Sequence, residues 1–570
     1  MRMVNNLKAK PPKIAKDLRD LVKTSADAFG DKLLYTYIEN QEQKQYTYNE
    51  LWSNMNNLGQ ALYHLGLSDK HIAVMGEVHP AYITTYFAVV NGGGVIVPLD
   101  KDIALADLNG FFEFTEAEVL FYTAAMNKTI ADIAASTKRI KRFVAIQPEE
   151  GVPFPDKRFM RYDDLVAMGK EELAAGNTEF LSHEIDMEKM CAIICTSGTT
   201  GTSKGVMLSQ RNLTAAANSS CLSMACDDLT TLVSVLPPHH TYEMTCGHLA
   251  AINIGAHIFI NDAIRHALKN FAAFKPNTLM LVPLFLETMH KRIWAEIRKQ
   301  NMEKKVRTAM KVNEGLLNMG IDVRKKLFGR ITQAFGGNLT SIICGGAPIS
   351  TEIIKDFYHF GITVLNGYGI TECAPLVAVN RPGKVKFDSV GTPVHNCEVK
   401  IDYTPDQATG EILVKGENVM MGYYKNEEAT KEVFTEDGWF RTGDIGYMDK
   451  KGYVFITGRK KNVIILSNGK NVFPEELEEH LSRNTAILES VVVGRQNEAG
   501  EIVITAIVVP NMESPLFADK SEEEVEAIMK DAVREVNKKL PSFKHMTETE
   551  VRFEEFEKTS SRKIKRYKVK

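Results

Sequence analysis

The densest concentration of chemically able residues is the run Thr196-Ser197-Gly198-Thr199-Thr200-Gly201-Thr202-Ser203-Lys204-Gly205. Glycine lets the backbone turn tightly and approach a ligand closely. Successive N–H groups and hydroxyls can cradle phosphate oxygens, and Lys204 adds a point charge. The plain alternative is a Ser/Thr-rich surface turn. Two other phosphate motifs fail on the residues that carry their chemistry. A Walker A loop needs G-x-x-x-x-G-K-[ST]. Gly198 and Lys204 have that separation, but Ser203 stands at the second glycine and Gly205 where the metal-holding hydroxyl belongs. A dinucleotide fingerprint needs G-x-G-x-x-G, and Gly367-Tyr368-Gly369-Ile370-Thr371-Glu372 ends on glutamate.

Further along, Asn366-Gly367-Tyr368 offers a flat aromatic face, Thr371 a hydroxyl, and Glu372 a carboxylate suited to a hard cation. Gly345-Gly346-Ala347-Pro348 is a turn that permits close approach. Asp444, after Gly443, can accept two hydrogen bonds, as vicinal sugar hydroxyls require, although Asp after Gly is also a common turn residue. Arg459 follows soon after. Pro237-Pro238-His239-His240-Thr241-Tyr242-Glu243 places His240 beyond an apolar run; a satisfied structural histidine is the competing reading.

Taken together and in order, these blocks resemble the adenylate-forming (AMP-binding) superfamily, which includes acyl-CoA synthetases, aryl-CoA ligases, luciferases and peptide-synthetase adenylation domains. The run TSGTTG-x-x-KG is similar to its phosphate loop, with Ser203 in place of the usual proline. Asn366–Pro375 resembles its YGxTE block and Gly438–Asp444 its W-x-x-T-G-D block. The resemblance implies phosphate contacts from Thr196, Ser197, Gly198, Thr199, Thr200, Gly201 and Lys204. It implies an adenine wall from Gly346 and Ala347, with Asn366, Gly367 and Tyr368 alongside. Thr371 would face the α-phosphate, Glu372 would hold Mg²⁺, Asp444 would hold the ribose, and Arg459 would be a second ribose or phosphate contact. Lys461 would be a hinge and Gly469 part of a thiol tunnel. The tail Glu557–Arg566 resembles the terminal P-K-T-x-x-G-K block, which makes Lys563 the adenylation lysine, with Lys558 and Lys565 as lesser candidates. Glu557 and Arg562 depart from the usual proline and glycine.

The resemblance is closest to bacterial long-chain fatty acid–CoA ligases. The His240 segment and a charged helical insertion from Trp294 to Phe335 support that branch. The implied reaction joins a fatty acid to AMP at the expense of ATP, then passes the acyl group to coenzyme A; His240, Thr371, Glu372 and Lys563 are the residues expected at the chemistry. An acyl carrier protein is an alternative acceptor, and a catalytically silent nucleotide-binding protein is an alternative from another class.

These residues need a scaffold that brings together positions far apart in the chain. The 570 residues are 44% hydrophobic and 25% charged, ordinary for globular proteins, and a net charge of −3 gives no sign of nucleic-acid binding. No 18-residue apolar run suggests a membrane span, which leaves at most peripheral membrane contact. The eight cysteines lack metal or redox spacing. A cytoplasmic protein is expected. Short apolar runs at 192–196, 232–236, 257–260, 278–282 and 341–344 predict buried strands, and 285–299 predicts a helix. The alternation predicts an α/β fold with layered sheets over residues 1–460. Residues 385–460 are expected to be a β-rich, mostly antiparallel subdomain. A small α+β domain is expected over 461–570, and the resemblance implies that it moves.

Overall fold

The computed structural model describes residue 10 and residues 12–196, 204–224, 226–403, 408–466, 470–497, 501–558 and 564–569. The largest sheet has eight strands. Its centre is the parallel pair His71–Met75 and Val95–Leu99, whose residues are buried and apolar except for the half-buried His71, as expected of strands covered on both faces. β1 (Met190–Thr196) joins this sheet in parallel, through Ile96 and Ala192. β2 (Lys204–Ser209) then folds back on β1 antiparallel, pairing Thr196 with Lys204. β1 and β2 thus form an antiparallel pair that brings the two described ends of the Thr196–Gly205 run side by side. A helix follows from Gln210, where Ser209 and Asn212 form a reciprocal capping box.

A second, five-stranded sheet supplies the next blocks. It contains β3 (Thr278–Leu281), β4 (Ser341–Cys344) and β5 (Thr363–Gly369) in parallel, then β6 (Leu376–Val379) antiparallel to β5. Three helices separate β3 from β4: α1 (Pro283–Lys299), α2 (Glu303–Asn318) and α3 (Arg324–Gln333). Proline at the first position of α1 suits a helix start, since its missing N–H would have no partner there. The two-residue strand β7 (Gly422–Tyr423) returns to the first sheet and pairs antiparallel with Val206 and Met207 of β2. β8 (Phe440–Met448) and β9 (Val454–Arg459) belong to a four-stranded antiparallel sheet with Cys397–Tyr403 and Gly410–Gly416.

Beyond Arg459 the chain forms α4 (Pro474–Ser482) and a three-stranded sheet of Ile487–Gln496, Ile502–Pro510 and Glu548–Val551, with a helix at Glu522–Asn537. Leu477, Leu481, Val492, Ala506, Val525 and Met529 pack into a core of their own. The architecture is the mixed α/β fold of layered sheets that the sequence predicts. No helix among the described residues is long and apolar enough to cross a membrane. All eight cysteines are free, and none is fully exposed.

Candidate active site

The carboxyl ends of parallel strands are the usual place for ligands in open α/β sheets, and here β4 and β5 end side by side, with Cys344 opposite Asn366. Gly345 and Gly346 follow β4, and Gly346 has φ +89°, a conformation that side chains rarely adopt. Gly346 and Ala347 are exposed at this edge, while Asn366 is buried and accepts from the Asn380 N–H at 2.9 Å. Tyr242, two residues beyond His240, donates its hydroxyl hydrogen bond to the Ile343 carbonyl at 3.1 Å. His240 is half-buried; its ring lies 4.1 Å from that of His239, whose Nε2 is 3.6 Å from an Asp100 oxygen. His240 therefore sits on a turn anchored against the same strand end that carries the glycine pair.

The backbone of β5 continues into the Tyr368–Glu372 block. Gly369 is required by close approach: a Cβ there would lie 2.5 Å from the Pro375 carbonyl oxygen. Tyr368 is buried, and its hydroxyl donates to Oδ2 of Asp444 at 2.5 Å. Burial pushes the Tyr368 phenol well above its usual pKa, and the Asp444 charge adds to that, so the tyrosine acts as a donor. Asp444 is only 3% exposed. Its other oxygen meets Arg459 Nε at 2.7 Å, across the β8–β9 pair that places these residues directly opposite each other. The Asp444 N–H is held by the Thr442 hydroxyl at 3.0 Å, and that hydroxyl donates to the Ile412 carbonyl at 2.7 Å.

A second cluster forms around Glu372. Tyr423 donates its hydroxyl hydrogen bond to Glu372 Oε1 at 2.9 Å, and the Glu372 carbonyl accepts from the Met420 N–H at 2.8 Å. Lys204 Nζ lies 4.4 Å from the centre of the Tyr423 ring, a cation–π contact. The Thr196 hydroxyl donates to the Lys204 carbonyl at 3.3 Å and closes the base of the hairpin. Burial, then Glu372, raises the Tyr423 phenol, and the field of Arg459 acts in the opposite direction. The charge of Arg459 is thus felt in both clusters. Burial, followed by Arg459, also lowers the pKa of Lys461.

Thr196, Lys204, Thr371, Glu372, Tyr368, Asp444 and Arg459 therefore come from three sheets and the turn after β5 into one neighbourhood. Ser197, Gly198, Thr199, Thr200, Gly201, Gly469 and Lys563 lie outside the described residues. Of the lesser tail candidates, Lys558 is largely buried in ion pairs with Glu489 and Glu555, and Lys565 lies 3.8 Å from Glu557. Tyr423 is the residue that sequence reading missed. Its signal was the apolar run Val419-Met420-Met421-Gly422-Tyr423-Tyr424 inside a charged stretch.

The donor set fits Mg²⁺ and a nucleotide. Mg²⁺ is ordinarily held by one or two carboxylates, with phosphates and water completing its shell, and Glu372 is a carboxylate beside the phosphate hairpin. Among the described residues no three acidic, His or Cys side chains form a metal cage of their own. An acidic side chain with two usable oxygens beside an arginine suits a ribose.

Two family models cover most of the chain. The AMP-binding enzyme model matches residues 22–424, and the AMP-binding enzyme C-terminal domain model matches residues 461–570. The protein is an adenylate-forming enzyme by class: the chain belongs to the AMP-binding enzyme family. A long-chain-fatty-acid–CoA ligase of Mycobacterium bovis is 30% identical over 429 residues, covering 72% of this chain and 68% of that protein. A chloroplastic long-chain-fatty-acid–[acyl-carrier-protein] ligase of Arabidopsis thaliana is 26% identical over 88% of this chain and 77% of its own length. Among solved structures, ATP-bound MatB from Rhodopseudomonas palustris superposes with a TM-score of 0.73 at 23% identity, over 96% of this chain and 97% of that one.

Proposed function

We propose that the protein activates a medium- to long-chain fatty acid with ATP and transfers the acyl group to coenzyme A. In the first step a carboxylate oxygen of the acid attacks the α-phosphorus of ATP. The bond from that phosphorus to the β-bridging oxygen breaks, and pyrophosphate leaves. In the second step the thiol sulfur of coenzyme A attacks the acyl carbon, the thiol proton is lost, and AMP leaves. Two anions must meet in the first step, so catalysis rests on positioning and charge neutralisation.

The observation that carries this reading is the shared neighbourhood of Lys204, Glu372 and the Asp444–Arg459 pair, joined through Tyr423 and Tyr368. We assign Lys204 and the hairpin backbone to the triphosphate, and Thr371 to the α-phosphate. Asp444 and Arg459 take the ribose, and the Gly346–Ala347 edge with Asn366, Gly367 and Tyr368 takes the adenine. Glu372 would hold Mg²⁺, which neutralises phosphate charge when bound. His240 lies on the acyl side and Gly469 on the thiol side. Lys563 serves adenylation, and Lys461 is the pivot of a C-terminal domain that begins there, a boundary supported by the start of the second family model at residue 461. The fatty substrate is supported by relatives that are long-chain-fatty-acid–CoA ligases by name, and a cytoplasmic location fits the free cysteines.

The test is ATP–pyrophosphate exchange across carboxylic acids of graded length. We expect exchange that depends on a fatty acid, and loss of it in Lys563→Ala with thiolysis of preformed acyl-AMP retained. Equal loss of both steps in that variant would overturn the assignment of Lys563. A carrier-protein acceptor is the second reading, favoured by the Arabidopsis relative; comparing coenzyme A with an acyl carrier protein as acceptor decides between them.

A further inference from the structure

The three helices between β3 and β4 are not used by the reaction, yet their outer surface has a distinctive chemistry. From Glu303 to Gln333 there are eight lysines and arginines against three acidic residues, in a chain whose net charge is −3. Two of the three acids are already matched: Glu303 pairs with Arg307 at 2.8 Å, and Asp322 with the buried Arg324 at 2.8 Å. Lys304, Lys305, Lys311, Lys325, Lys326 and Arg330 are all exposed and carry no ion pair among the described residues.

Large apolar side chains project among these cations. Met319, in the turn between α2 and α3, is 73% exposed, Val312 54%, Ile321 46% and Leu327 43%. Val312 and Met319 are seven residues apart, so they share one face of the helix line, with Lys305 seven residues before Val312. The inner face of the same helices is satisfied by Met310, Leu317 and Phe328, which are buried. The outward apolar residues therefore have no part in the core. An exposed turn that carries Met319 and Ile321 between helices bearing unpaired lysines has the two features that interfacial segments use: apolar side chains to enter the acyl boundary and cations to meet lipid phosphates.

We propose that the α2–α3 turn docks the protein on an anionic lipid bilayer, with Met319 and Ile321 entering the surface and Lys325 and Lys326 meeting headgroup phosphates. A lipid surface suits exposed apolar side chains set among cations because it needs no preformed complementary pocket. An acidic protein partner would have to supply one. The docking does not depend on which acid the enzyme activates, and it is measured with no substrate present.

The experiment is co-sedimentation of the full chain with vesicles of phosphatidylcholine alone and with vesicles of equal parts phosphatidylcholine and phosphatidylglycerol. We expect sedimentation with the anionic vesicles, weakened by added salt, and little with the neutral ones. Lys325→Gln with Lys326→Gln should lower partitioning by about thirtyfold. Met319→Asp should also lower it, and Ile321→Ser serves as a second apolar variant. All variants should keep the wild-type melting temperature and exchange activity with a water-soluble acid. Equal binding to both vesicle types, no binding to either, or unchanged binding by the variants would overturn the proposal. So would variants that spare vesicle binding and instead weaken binding to an acyl carrier protein.

Discussion

Asp444 and Glu478 stand on opposite sides of Lys461 in the chain, and each is an acid with little exposure that meets an arginine. Asp444 is met by Arg459 from the neighbouring strand and by the Tyr368 hydroxyl from another sheet. Glu478, on α4, is met by Arg566 from the tail and by the Val492 N–H at 2.6 Å. Burial pushes the Glu478 carboxyl up to about 7, while Arg566 pulls it down and Glu475 opposes with like charge. The two pairs share a chemistry and differ in what surrounds them. Asp444 has two donors, Tyr368 and Arg459, that ligand hydroxyls could replace, as the proposed ribose role requires. Glu478 ties a helix to the end of the chain, and its tie depends on a proton.

The sharpest way to break the first half of this contrast is Asp444→Ala. It leaves Tyr368 and Arg459 without their shared acceptor. Exchange activity should fall about a hundredfold or more, and the fold should lose about 2 kcal/mol, read by denaturant unfolding. Near-normal exchange would mean that Asp444 is structural only. Next in size is Tyr423→Phe, which keeps the ring under Lys204 but removes the hydrogen bond to Glu372. The KM for Mg-ATP should rise roughly tenfold with little change in melting temperature.

The second half of the contrast is tested by pH. In the folded chain Glu478 keeps its proton up to about 7, above the 4.5 of an ordinary glutamate. Between those values the folded state holds a proton that the unfolded state has released. By linkage, stability falls as pH rises across that window, even as the charge facing Arg566 forms. Glu478→Gln should flatten this component of the melting-temperature profile, and an unaltered slope would place the titration elsewhere. The smallest effect is expected from Lys565→Gln. Its partner Glu557 is exposed and distant, so stability should change by less than about 0.5 kcal/mol. Exchange should stay within about twofold, unless Lys565 takes the role assigned to Lys563.

The sequence made the order of blocks legible because each is local: Thr196–Gly205, Asn366–Glu372 and Gly438–Asp444 carry their residue types at fixed short spacing. The layered strands at 257–260 and 341–344 were legible for the same reason, since short apolar runs bounded by polar residues signal burial. The hairpin was not. The run Val206-Met207-Leu208 is too short to separate a strand from the start of a helix, and its strand character depends on β1 and β7 on either side. The apolar run around Tyr423 marks it as buried but does not point to Glu372; that meeting is created by the pairing of β7 with β2. The Glu478–Arg566 tie has the same origin, as does the burial of Lys558 against Glu489.

The pairing of β7 with β2 bears on how the enzyme comes into being. While the ribosome is still making residues between Ser209 and Gly422, the outer rim of the phosphate hairpin presents bare amide and carbonyl groups, an adhesive border for other nascent chains. That border is sealed only when Gly422 and Tyr423 emerge, and the same event delivers the phenol to Glu372. A chain terminated prematurely before this point would be sticky and would lack the Tyr423–Glu372 hydrogen bond, so protection against aggregation and that contact arrive in one stroke of synthesis.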